Sequence, residues 1–151
     1  MMTKAERCAK ALALHQTTMN CAQSVLGAFA DLTPFTPEEC FALGSGFGSG
    51  VRYGGVCGTV SAAVMLLGIL YPHTPENGAE GKARSTRLTK EFERRFAARC
   101  GGKLDCRDLL REKDLVLTEQ VKLTGAEAHC DQLIVMATEL LCDLLEELER
   151  E

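Results

Sequence analysis

The chain has 151 residues and a formal net charge of −4, with no block of clustered Lys or Arg. That length fits one domain able to bury a core, and the charge pattern excludes the basic patches on which nucleic-acid binding rests. Trp is absent and aromatics make up 5%, which excludes base-stacking platforms as well.

Lys4, Glu6 and Arg7 fall where an export signal would place its apolar stretch, so a cytoplasmic location is expected. Residues 3 to about 30 read as one long helix. Cys8, Leu12, His15, Met19, Ala22, Leu26 and Phe29 recur at alternating steps of four and three, which lines them up on one stripe. Thr3 and Glu6 make a capping box at its start. Cys21, Val25 and Ala28 form an adjoining inward row, and Asn20 and Gln23 flank Cys21 as donors for a thiolate or a buried polar group. After a turn at residues 31–35, Thr36, Pro37 and Glu39 open a short second helix as cap, first residue and box partner.

Five glycines stand between Gly46 and Gly55. The segment lacks the Gly-Lys-Ser/Thr ending of a phosphate loop and no strand precedes it. The next stretch is more telling: residues 56–71 are free of charge and apolar all round, the pattern of a helix buried on every side. The run is shorter than the roughly 20 residues that cross a bilayer and is interrupted by Gly, Thr and Ser, so it is expected to be the central core helix. Cys57 sits at its first turn. Free N–H groups and the helix dipole there lower a thiol's pKa, and Arg52 and the glycine amides reinforce this.

Residues 83–100 form a basic amphipathic helix with Leu88, Phe92, Phe96 and Ala97 inward, closed by Gly101 and Gly102. Residues 104–110 make a short helical turn with Asp105 as its cap. Residues 111–123 give no clear pattern. Thr124 and Glu127 form another capping-box pair, opening a last helix whose wide stripe runs from Cys130 through Leu133, Ile134, Ala137 and Leu141 to Leu148. Its acidic end opposes the helix dipole and predicts fraying, and its stripe offers a surface for a homodimer. No strand alternation or repeat appears. The expected fold is all-α: a single domain over residues 1–151, a bundle of four long helices plus one or two short ones around the central apolar helix.

Eight cysteines remain to be placed. In a reducing compartment they are not a disulfide framework, and their share of the chain is below that of disulfide scaffolds. The closest pair, Cys100 and Cys106, is six residues apart, so zinc-ribbon, ferredoxin and c-type haem spacings are all missing. Any thiol site must be assembled in space from separate helices. Nothing points to a Ser-His-Asp triad, paired catalytic carboxylates or a nucleotide fingerprint.

Four segments carry a resemblance: Asn20-Cys21-Ala22-Gln23; Gly46-Phe47-Gly48 with Gly54-Gly55-Val56-Cys57-Gly58; Asp105-Cys106-Arg107-Asp108-Leu109; and Cys130 at the head of the last helix. Together they span most of the chain and resemble the redox-active protein family named for its pattern C_GCAxxG_C_C. Val56, Gly58 and Ser61 stand where that pattern has Gly, Ala and Gly. The family is also similar to the C-terminal part of split-Soret cytochromes, which bear an iron–sulfur site. The resemblance implies one motif cysteine per segment (Cys21, Cys57, Cys106 and Cys130) and, by extension, four thiolates on an iron–sulfur cluster, the usual count for [2Fe–2S] and [4Fe–4S] centres. It implies an electron-transfer or redox-sensing role, accessory to an oxidoreductase if linked to one, with a redox partner protein. The alternatives are a metal-free dithiol protein with Cys57 as attacking thiolate, a structural zinc site on the same four thiolates, and a helical interaction module. Cys8, Cys40, Cys100 and Cys142 are assigned to packing or exposure. His129 abuts Cys130 but points about 100° away on a helix, so a thiolate is favoured there. His15 is expected as a hydrogen-bonded interior residue and His73 as a loop residue.

Overall fold

A computed structural model describes residues 1–151. Eight α-helices are joined by short connections: α1 (Lys4–His15), α2 (Cys21–Ala28), α3 (Pro37–Gly44), α4 (Gly58–Leu70), α5 (Gly78–Arg99), α6 (Cys106–Leu109), α7 (Glu119–Thr124) and α8 (His129–Glu149). There are no strands; one isolated antiparallel bridge links Val56 and Asp105. The all-α expectation holds.

The first long helix is in fact two. The apolar stripe runs on through residues 16–19, but Asn20 leaves the helical region (φ −79°, ψ 176°) and caps α2 instead. Its side chain accepts the Gln23 amide at 2.8 Å, and the Gln23 carbonyl oxygen accepts the Asn20 amide at 2.9 Å. A reciprocal cap offers the backbone an alternative to continuing the helix, and the β-branched Thr17 and Thr18 just before it favour the break. Asn20 and Gln23 are thereby spent on the backbone rather than on a thiolate. The side-chain amide of Asn20 also reaches Gly44 O and Ser45 O, tying α2 to the end of α3.

At α3 the box of Thr36 and Glu39 forms as expected, with Pro37 as the first residue. Helix α4 lies among α2, α5 and α8. Val60, Ala62, Ala63, Leu66 and Leu67 are buried, while Gly68 opens to solvent, so its burial is not complete on every side. Helix α5 starts five residues before the expected point and stacks Phe92 against Phe96 in the core.

The pair Thr124 and Glu127 does not cap α8. Gly125, left-handed at φ 70°, closes α7, and the Thr124 hydroxyl donates back to Val121 O. Helix α8 is the wall that α1, α2, α4, α5 and α7 all share. Its apolar stripe is therefore covered within the chain, which removes the reason for reading it as a dimer surface. Its acidic end is held rather than frayed: Arg95 on α5 binds Glu147 at 2.6 Å and Glu91 at 2.7 Å. Arg7, on α1, is buried as well. It donates to Asp31 at 2.6 and 3.0 Å and to Ala28 O at 2.9 Å, with its guanidinium 5.0 Å from the Phe29 ring centre.

Candidate functional site

Cys21 is the first residue of α2, Cys57 the N-cap of α4, Cys106 the first residue of α6 and Cys130 the second of α8. These four helix starts turn toward one cavity of about 230 Å³, and all four cysteines line it. His15, Arg52, Thr59, Leu109 and Leu133 complete much of its wall, and no carboxylate lines it. The segments carrying Cys57 and Cys106 are interlocked. Cys57 N–H donates to Leu104 O at 2.8 Å and Cys106 N–H to Gly55 O at 2.6 Å, on either side of the Val56–Asp105 bridge. Sequence spacing carries no sign of this pairing.

Cys21 is the most acidic of the four thiols. The neighbouring Cys57 and the amides of Ser49, Ala22 and Gly58 favour its thiolate, lowering its pKa to about 6 against the opposing effect of burial. Cys57, expected from its helix start to be the thiolate, is pushed the other way by the neighbouring Cys21, which favours its protonated form, and by burial. As an N-cap its side chain makes no cap bond, and the pull of the Thr59 amide and hydroxyl toward the thiolate is outweighed. Its sulfur lies 3.1 Å from the Thr59 hydroxyl. Burial raises Cys106 and Cys130, and the nearby Cys21 charge raises both further.

Gly58 makes the close approach possible. A Cβ there would run into the Cys21 sulfur and come within 2.8 Å of Phe47 O. Just before it, residues 49–52 form a left-handed turn: Ser49 (φ 53°), Gly50 (φ 59°), Val51 (φ 57°) and Arg52 (φ 64°). Only glycine adopts this region freely, and a β-branched residue is a clear outlier there. Gly55 N–H to Gly50 O at 2.9 Å closes the turn. Val51→Gly is expected to stabilise the protein by about 1 kcal/mol, the left-handed penalty less glycine's chain entropy. In thermal unfolding this is a rise of about 2–4 °C for a chain of this size.

The other cysteines stay out of the cavity, as expected. Cys8, Cys40 and Cys100 are buried and Cys142 is half-buried. Burial pushes Cys100 and Cys142 up to about 12, the range of inert thiols. His129 turns away and its Nε2 bonds Leu109 O, holding α6 against the start of α8. His15 is hydrogen-bonded, Nδ1 to Asp131 Oδ1 at 2.6 Å, but it also stands in the cavity wall. Its place on the inward stripe of α1 was the available signal. No three His, Cys, Asp or Glu side chains converge on a single point as ligands of one ion. The four thiols ring a space rather than meet.

The structure is that of an all-helical protein with four cysteines lining one cavity. The model of one family, described as "Putative redox-active protein (C_GCAxxG_C_C)", matches residues 19–144. The chain belongs to that family. No curated protein and no solved structure matches it. No helix is long and apolar enough to cross a membrane.

Proposed function

We propose that the protein is an electron-transfer or redox-sensing protein whose Cys21, Cys57, Cys106 and Cys130 hold an iron–sulfur cluster. The observation that carries this reading is the ring of four cysteines, one from each of four helix starts, around a single cavity without carboxylates. Thiolates spaced around a cavity suit a group with several metal atoms, whereas a lone zinc ion needs four donors about 2.3 Å from one point. A cluster with four thiolates is anionic. The amides around Cys21, the dipoles of α2, α4 and α8, and Arg52 supply compensating positive potential. Leu109 and Leu133 exclude water from the inner wall. Bound there, the cluster supplies one-electron chemistry. Cys57, Cys106 and Cys130 must each release a proton to bind, so loading improves as pH rises.

The test is metal and sulfide analysis of protein made without oxygen. Iron and acid-labile sulfide with visible absorption are expected, lost in Ser variants of any of the four and kept in Cys142→Ser. Colourless protein free of iron and sulfide overturns the cluster, and zinc in its place establishes the structural-metal alternative.

One observation favours a second reading, a metal-free dithiol: Cys21 and Cys57 line the same cavity, and the Cys21 thiol, beside Cys57, has its pKa lowered to about 6. In that case Cys21 attacks a partner's disulfide, forming a mixed disulfide and expelling one partner thiolate. Cys57 then loses its proton and attacks the Cys21 sulfur, closing an internal disulfide and releasing the second partner thiolate. This reverses the roles the sequence suggested, where Cys57 attacked.

A further inference from the structure

The left-handed turn holds Val51 and Arg52 in a conformation costly to both, and neither is used to pack the core. Val51 is 48% exposed and Tyr53, next along, is 72% exposed. Strain that persists without a packing role marks a segment kept for what it displays. What it displays is continuous with the cysteine cavity. Arg52 and Leu110 both line that cavity, and Leu110 is 57% exposed, so together they form its mouth. Arg107 Nε donates to Gly54 O at 3.1 Å and fastens the turn to α6, while Val56, also exposed, continues the band beside it.

The charges at this mouth are unspent. Neither Arg52 nor Arg107 takes part in any ion pair of the chain. Asp105 and Asp108 share the α6 segment, but neither lines the cavity, where Arg52 is the only permanently charged residue. Elsewhere the protein is acidic overall. An apolar band with a cation at the edge of a redox cavity matches one kind of surface: carboxylates around an apolar, cofactor-bearing edge.

We infer that the turn of residues 49–53, with Arg107 and Leu110, is the docking platform for a small acidic one-electron carrier protein. The inference rests on the proposed redox reading for its purpose, but its test does not depend on the cluster. The probe is an acidic flavodoxin, with affinity for the whole chain measured by calorimetry at low ionic strength. Binding is expected to weaken with added salt, and Arg52→Glu is expected to loosen it by about tenfold or more, as charge reversal at a docking surface does. Leu110→Ser should also loosen it. Val51→Gly should loosen it while raising thermal stability, a combination that a merely structural role does not produce.

Absence of flavodoxin binding at low salt, or affinities within about twofold of wild type for Arg52→Glu and Leu110→Ser, overturns the platform. Iron and sulfide content of the same samples is read separately. A chain free of both loses the cluster reading, while the affinities still decide the docking surface.

Discussion

Gly58→Ala is expected to fold, to lose about 1–3 kcal/mol, and to slow the alkylation of Cys21. The new methyl group meets the Cys21 sulfur on one side and Phe47 O on the other, and the carbonyl belongs to backbone that cannot yield cheaply. The family pattern carries alanine at this place, so the variant restores the residue of the pattern while crowding the Cys21 sulfur. The sulfur moves away from the amides of Ser49, Ala22 and Gly58 and from the Cys57 thiol. At pH 7 a thiol titrating near 6 is roughly nine-tenths thiolate, whereas one at the ordinary 8.5 is only about 3% so. Because a more basic thiolate is also a better nucleophile, alkylation of Cys21 at pH 7 should slow by about two- to threefold rather than by the full ratio of about thirty. The sign for stability is also fixed. Cys21 titrates below its unfolded value, so its contribution is full above about pH 8.5 and is lost as pH falls through about 6. The variant should lack that slope in denaturant unfolding. An unchanged alkylation profile would show that the neighbours of Cys21 do not set the thiolate.

Asp31→Ala carries the largest expected loss of stability. Arg7 is almost wholly buried, and its guanidinium relies on both oxygens of Asp31. Removing one partner of a buried pair costs roughly 3–5 kcal/mol because a charge is left stranded. Here about 2–3 kcal/mol is expected, since Asp31 is 40% exposed and Arg7 keeps Ala28 O and the Phe29 ring. Arg7 holds the Asp31 carboxyl below its ordinary value, so the pair stabilises the fold above about pH 4 and ceases to as pH falls through the lower folded value. Denaturant midpoints of wild type and variant should therefore converge in acid. The variant's loss should reach the centre only indirectly, through α1 and α2, and leave Cys21 alkylation at neutral pH close to wild type.

Much of this fold was legible because its cues are local. Thr36, Pro37 and Glu39 announce α3 without help from the rest of the chain, and Leu88, Phe92 and Phe96 mark the inward face of α5. The break at Asn20 was hidden because the apolar stripe keeps its phase across residues 16–19, and periodicity cannot see a cap that competes with it. Thr124 and Glu127 had the right spacing for a cap, but Gly125 between them takes the left-handed conformation that ends a helix.

The site divides in the same way. The grouping of Cys21, Cys57, Cys106 and Cys130 came from motif resemblance; the structure sets all four in the wall of one cavity. Which of them is the most acidic depends on hydrogen bonds between segments distant in the chain. A rule about helix starts therefore chose Cys57, while the amide of Ser49 and the thiol of Cys57 favour Cys21. The left-handed turn was visible only as a richness in glycine; that Val51 and Arg52 share its conformation had no signature.

The wall provided by α8 has a bearing on biogenesis. This helix is synthesised after the seven others, yet α1, α2, α4 and α5 all wait for it to cover their apolar faces, and it brings the fourth thiol with it. The residues before it thus emerge with those apolar faces uncovered. The cavity lacks its fourth cysteine, Cys130, until α8 has been made. A prematurely terminated product lacking α8 would hold three of the four sulfurs and no enclosure in which to use them.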